Sequence, residues 1–159
     1  MNPPNKPNKN PENSGNPEED IVASMVKKIN GFANGLKDYK IRELVEDTEK
    51  LGRKLAQEHK LKTTQIRKFL DAVNRLKAKI SGMSQLPEDV TSELHLLRPK
   101  LAYAAARQAT NNNSGPVEPL KRVLESALKK DMDMEDFSRL VQLIEAIIAY
   151  HKAAGGKDQ

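Results

Sequence analysis

After residue 20, apolar side chains recur at helical spacing along almost the whole chain. Ile21, Val22, Met25, Val26 and Ile29 mark a short amphipathic segment that the Gly31 to Gly35 region ends. Ile41, Leu44, Val45, Thr48, Leu51 and Leu55 then keep the i, i+3, i+4, i+7 rule of a surface helix. Thr63 or Thr64 offers an N-cap before Ile66, Phe69, Leu70, Val73, Leu76 and Ile80, and Ser81-Gly82 closes that element. Pro87 opens a fourth helix through Val90, Leu94 and Leu97. This helix is expected to kink or break before Pro99 and to restart there, because proline has no N–H and its preset φ fits the first helical position. The loop Thr110 to Gly115, with Asn111, Asn112 and Asn113, separates two further helices. Pro119 leads Leu120, Val123, Leu124 and Leu128; Asp133 or Glu135 begins a run through Phe137, Leu140, Val141, Ile144, Ile147 and Ile148 that Gly155-Gly156 stops. With no strand-like alternation and no internal repeat, the sequence predicts an all-α fold, a compact bundle of five to six helices.

Residues 1 to 20 are crowded with Asn and Pro and carry no large apolar side chain after Met1. They cannot offset the entropy of ordering and are expected to form a disordered arm. The remainder divides into a single helical domain, residues 21 to 156, and a short tail, residues 157 to 159. A chain of 159 residues has room for one real core and not for a second of ordinary size.

Charge sharpens this picture by its distribution. The arm carries −2, which leaves +7 for residues 21 to 159. Between residues 53 and 79, nine basic residues face only Glu58 and Asp71, again +7. Clustering of the whole excess in one sixth of the chain points to a polyanion-binding face. On the third helix, Lys68, Arg75 and Lys79 fall within about 40° of one another, opposite the apolar arc, with Arg67 and Asp71 alongside. Lys77 lies inside the apolar arc, where it must snorkel from the last turn or meet another subunit. On the segment LRPKLAYAAAR, residues 97 to 107, Lys100, Tyr103 and Arg107 fall within about 60° and alanines fill the rest. Two cations flanking a ring suit a phosphate backbone and a base. Three Phe, three Tyr and no Trp make aromatics scarce, which favours a place in the core for Tyr103.

Catalytic signals are weak. His59, His95 and His151 are isolated and read as helix-surface or end-of-helix residues, and no Gly-rich phosphate loop follows a strand. Glu43, Glu46, Asp47 and Glu49 read as a solvated helical face, since metal sites need carboxylates converging from several elements. Without Cys there is neither a disulfide nor a thiolate site, and no run approaches the roughly 20 apolar residues of a membrane helix. These features predict a soluble, cytoplasmic protein that is not an enzyme, uses no cofactor or metal and touches no membrane.

Three segments carry a family likeness: TQIRKFLDAVNRLK (64 to 77), LRPKLAYAAAR (97 to 107) and EAIIAYHKAAGG (145 to 156). In this order, in a small helical chain, they closely resemble the small subunit of the type III-A CRISPR-Cas effector, the Csm complex, over residues 38 to 156. The resemblance implies a non-catalytic subunit that stacks in several copies beside the backbone subunits and the large subunit. It would line the path of the target RNA and help to hold the guide-target RNA duplex. It also implies backbone contacts at Arg67 and Lys68, and at Arg98, Lys100 and Arg107, with Tyr103 beside them. Arg53, Lys54, Arg75 and Lys79 join this set on charge clustering alone. The third segment reads as core and subunit interface, with Ile144, Ile147, Ile148 and Tyr150 apolar. A duplex specified by base pairing needs cations along its backbone and no base-edge readout, so scarce aromatics are no obstacle.

Two other classes fit a small, basic, helical chain. A DNA-binding helix-turn-helix regulator would place base-reading side chains at the start of its recognition helix. The most basic helix here opens instead with Thr64, Gln65 and Ile66 and carries its charge later. A scaffolding subunit would turn the same basic face to acidic proteins.

Overall fold

The computed structural model describes residues 21–158 and, ahead of them, Pro4. Apart from Pro4, the expected arm, residues 1 to 20, therefore lies outside the described residues. The order of elements is α1 (Ile21–Asn30), a 3-10 turn (Leu36–Asp38), α2 (Ile41–Gln57), α3 (Thr63–Lys79), α4 (Glu88–Gln108), α5 (Glu118–Leu128) and α6 (Met134–Ala153). The fold is all-α: six helices, with no strand among the described residues.

The helices α2 and α6 form the centre and share the most extensive packing; α3 lies on α6, α1 on α5 and α2, and α4 on α5. One aliphatic cluster joins them all, from Met25 and Ile29 through Leu51, Leu55 and Ile66 to Leu101, Leu120, Leu140 and Ile147. At the crossing of α2 and α6, Gly52 faces the backbone of Tyr150 and His151, where a Cβ would stand 2.6 to 2.7 Å from backbone atoms. Only a residue without a side chain allows that approach.

Three helix starts differ from the sequence expectation. The cap of α3 is Lys62, not Thr63 or Thr64, and the Gln65 Oε1 accepts from the Lys62 N–H at 3.3 Å. Thr63 is drawn inside instead, its N–H donating to the Lys157 carbonyl at 2.9 Å. Pro87 stands just outside α4, where its carbonyl accepts from Val90 and Thr91. Pro99 neither stops nor starts a helix: α4 runs through it without interruption. Leu94 and Leu97 before it and Leu101 and Ala105 after it are buried in the same core, and that burial outweighs one missing backbone bond. Asp133 does cap α6 as expected: its Oδ1 accepts from Asp136 N–H at 2.9 Å, while Asp136 Oδ2 accepts from Asp133 N–H at 2.9 Å.

Polar groups inside the bundle hold its connections. Asp47, expected on a solvated face, is buried and accepts from the Tyr39 hydroxyl at 2.6 Å and the Lys28 ammonium at 2.7 Å. Burial and this carboxylate push the Tyr39 hydroxyl far up. Burial works against the Lys28 charge, yet Asp47 and Glu43 outweigh it and hold its pKa above the usual lysine value. His151 is in the last turn of α6, yet it is buried, not on the surface. Its Nε2–H donates to the Leu61 carbonyl at 2.5 Å, leaving Nδ1 as acceptor for the Thr63 hydroxyl at 3.4 Å. Gly156 closes over the ring, with no space for a Cβ.

Candidate nucleic-acid interface

The basic stripe of α3 is built by the same periodicity that buries Ile66, Phe69, Val73 and Leu76 on α6. Arg67, Lys68 and Arg75 project from the opposite side, exposed, with Asp71 among them. None of the three forms an ion pair among the described residues. The bond to Lys152 and that lysine's charge lower the pKa of Asp158, and the charge of Arg67 adds a smaller lowering. Lys77, expected to lie over the apolar arc, is exposed at the last turn and lines a groove with Ile80, Met83, Phe137 and Val141.

Lys79 differs from its neighbours on the stripe. Its ammonium lies 3.0 Å from Asp89 and 3.4 Å from Glu93, at the start of α4. These bonds raise the Lys79 pKa and lower that of Asp89. Two carboxylates thus answer its charge before any ligand arrives. Arg53 and Lys54 are likewise engaged along their own helix and its end, by Glu49 and Glu58, each at 3.6 Å, and Lys54 is largely covered.

On α4, Lys100, Tyr103 and Arg107 share an exposed stripe, as their spacing predicts. Tyr103 is 66% exposed, so it is not the core residue that scarcity of aromatics favours. Five smaller side chains, Val90, Leu94, Leu97, Leu101 and Ala105, complete the buried face of α4 without it. The Arg107 guanidinium stands 5.9 Å from the Tyr103 ring centroid, a cation–π approach that holds the pair together. Arg98 points elsewhere: it lies 4.0 Å from Glu125 of α5, and its Nε is buried without a partner. Leu96, 56% exposed, falls on the Lys100–Tyr103–Arg107 stripe, where a search for apolar residues in the core alone does not find it. Its angular position, about 40° or less from those three, is the signal in the sequence.

The two stripes do not merge into one patch at the junction of their helices. The helices α3 and α4 touch little, and the Lys79 cluster with Asp89 and Glu93 joins them. Two segments of exposed cations result, Arg67/Lys68/Arg75 and Lys100/Arg107. Among the described residues no group of three His, Asp or Glu side chains is placed to hold a metal ion.

Residues 38–157 match the family model described as Csm2 Type III-A. The chain belongs to this family. It is a small subunit of the type III-A Csm complex, alongside that complex's other subunits. Comparison with curated proteins and with solved structures returns no match. The Csm2 match begins at Asp38 in the 3-10 turn and covers α2 to α6, so both stripes lie within it and α1 lies before it. No helix among the described residues is long and apolar enough to cross a membrane.

Proposed function

We propose that this Csm2 chain is a non-catalytic subunit that contacts the target RNA and the guide-target RNA duplex and stacks in several copies beside the backbone and large subunits. Its working unit is the helical domain of residues 21–156. The observation that carries the RNA reading is the set of cations on α3, Arg67, Lys68 and Arg75, exposed and without an ion pair among the described residues, in a chain of this family. Lys100 and Arg107 extend the contact on α4, with Tyr103 available to stack on a base or ribose. Arg53, Lys54, Lys79 and Arg98 contribute less, since each already faces a carboxylate. Sequence is left to the guide, and the protein supplies charge along the backbone.

Titration with unstructured RNA, DNA and a guide-target RNA duplex tests this. Replacing Arg67, Lys68 and Arg75 with Ala is expected to weaken RNA binding regardless of sequence. The log–log salt slope should flatten by about 0.7 for each single-strand phosphate that the protein no longer neutralises. Unchanged affinity and slope would leave the face merely solvated. A preference for duplex DNA would favour a regulator, and binding of none of the three would favour a protein scaffold.

A further inference from the structure

The sequence places Asn before Gly twice, at Asn30–Gly31 and Asn34–Gly35. Both asparagines are exposed. This dipeptide is chemically labile, because a glycine amide has no side chain to keep it away from the preceding carboxamide. The main-chain hydrogen bonds of the two copies differ. Asn30 is the last residue of α1, and the Gly31 N–H is held by the Lys27 and Lys28 carbonyls, each at 3.1 Å. That nitrogen is locked into the helix end. Asn34 stands in the loop before the 3-10 turn, where its own N–H donates to Asp38 Oδ2 at 2.9 Å. Neither its carboxamide nor the Gly35 N–H has a hydrogen-bond partner among the described residues.

Glycine cannot be exchanged at position 35. Its φ is +104°, and a Cβ would stand 2.7 Å from Asp136 Oδ1. The fold therefore fixes the reactive neighbour of Asn34.

We propose that Asn34 is a deamidation site of the folded chain and that Asn30, in the same dipeptide, is protected. The Gly35 nitrogen attacks the carbonyl carbon of the Asn34 side chain. A C–N bond forms there, the C–N bond of the carboxamide breaks, and the displaced NH2 leaves as ammonia with the proton of the Gly35 amide. Water then opens the cyclic imide at either carbonyl, giving aspartate or isoaspartate. Either product sets a new carboxylate beside Asp38 and Asp136. Isoaspartate also lengthens the main chain immediately before Gly35, against the Asp136 carboxylate that accepts from Lys37 N–H at 2.8 Å. Modification loosens the tie between the 3-10 turn and α6. None of these residues belongs to the basic stripes.

The test is peptide mapping by mass spectrometry of the full chain, incubated folded in mildly alkaline buffer, with chromatography separating the asparagine, aspartate and isoaspartate forms. Acid forms at position 34 are expected to accumulate about tenfold faster than at position 30, the factor set by the net worth of one main-chain hydrogen bond. In urea, where that bond is gone, the two rates should converge. The converted protein should show a lower denaturant midpoint, and Asn34→Gln incubated alongside should keep its own. Equal rates at both positions in the folded chain, faster conversion at Asn30, or an intact Asn34 after the time that converts the urea-unfolded chain overturns the assignment. A midpoint unchanged by conversion overturns the loosening of the turn.

Discussion

Gly52 and His151 meet where α2 and α6 cross: a Cβ on residue 52 would stand 2.6 Å from the His151 backbone nitrogen. This contact sets how closely α2 and α6 cross, and α3 rests on α6 in turn. Helix propensity alone would favour Ala at an interior helical position by about 1 kcal/mol. Overpacking against backbone, which cannot swing aside as a side chain can, costs about 2–3 kcal/mol. Gly52→Ala is therefore expected to destabilise the fold by about 1–2 kcal/mol net, read as a lower denaturant midpoint. A raised midpoint would show that the crossing can open at no cost.

Asp136 ties the start of α6 to the 3-10 turn. Its carboxylate accepts from Lys37 N–H at 2.8 Å and from Asp133 N–H at 2.9 Å, and the residue is buried. Asp136→Ala leaves two backbone donors without their acceptor. A loss of about 1–3 kcal/mol is expected in chemical denaturation. Exposed Glu135, one residue earlier, should tolerate the same change within about 0.5 kcal/mol.

Stability should fall with acid in two windows. Burial lowers the pKa of His151 below 6.5, aided by Lys152 and opposed by the bond to Leu61; burial and Lys54 lower that of His59. A histidine depressed in the folded state takes up its proton more readily when unfolded. Its stabilising contribution is therefore complete above pH 6.5 and declines as the pH drops below that value. The slope should approach about 1.4 kcal/mol per pH unit for each histidine still neutral in the fold. His151→Gln should reduce this slope. The second window belongs to Asp133, held at about 2 by its bonds to Lys37 and the Asp136 N–H. Its contribution is present above the ordinary carboxylate value of 3.8 and disappears as the pH falls toward 2. Denaturant midpoints followed across pH would check both; a flat profile below 6.5 would contradict the histidine assignment.

Tyr103 offers a separation of fold from binding. Because it is exposed, Tyr103→Ala should leave the denaturant midpoint within about 0.5 kcal/mol of the parent. If the ring stacks on RNA, the same variant should lose about 1–3 kcal/mol of affinity, and Tyr103→Phe should be nearly silent in both. A large drop in midpoint for Tyr103→Ala would place the ring in the core after all.

The chain's own periodicity determined the helices, because spacing along one helix decides which residues share a face whatever lies opposite. Ile66, Phe69, Val73 and Leu76 turn inward and Arg67, Lys68 and Arg75 turn outward for that reason, and Asp133 caps α6 through atoms three residues away. Tertiary structure decided what each face meets. Lys79 has the same helical position as its basic neighbours but finds Asp89 and Glu93 on another helix, and Arg98 finds Glu125. Asp47 reads as one acid in a surface row until Tyr39 and Lys28 close over it, and His151, read as a helix-surface or end-of-helix residue, does stand at the end of α6 but is enclosed there by Leu61, Thr63 and Gly156. Pro99 breaks a helix in isolation, but here the buried leucines on both sides keep α4 continuous. Local geometry follows from neighbours a few residues apart and is written in the spacing. Burial and the neutralisation of charge depend on partners up to about a hundred residues away, whose positions only the packed helices set.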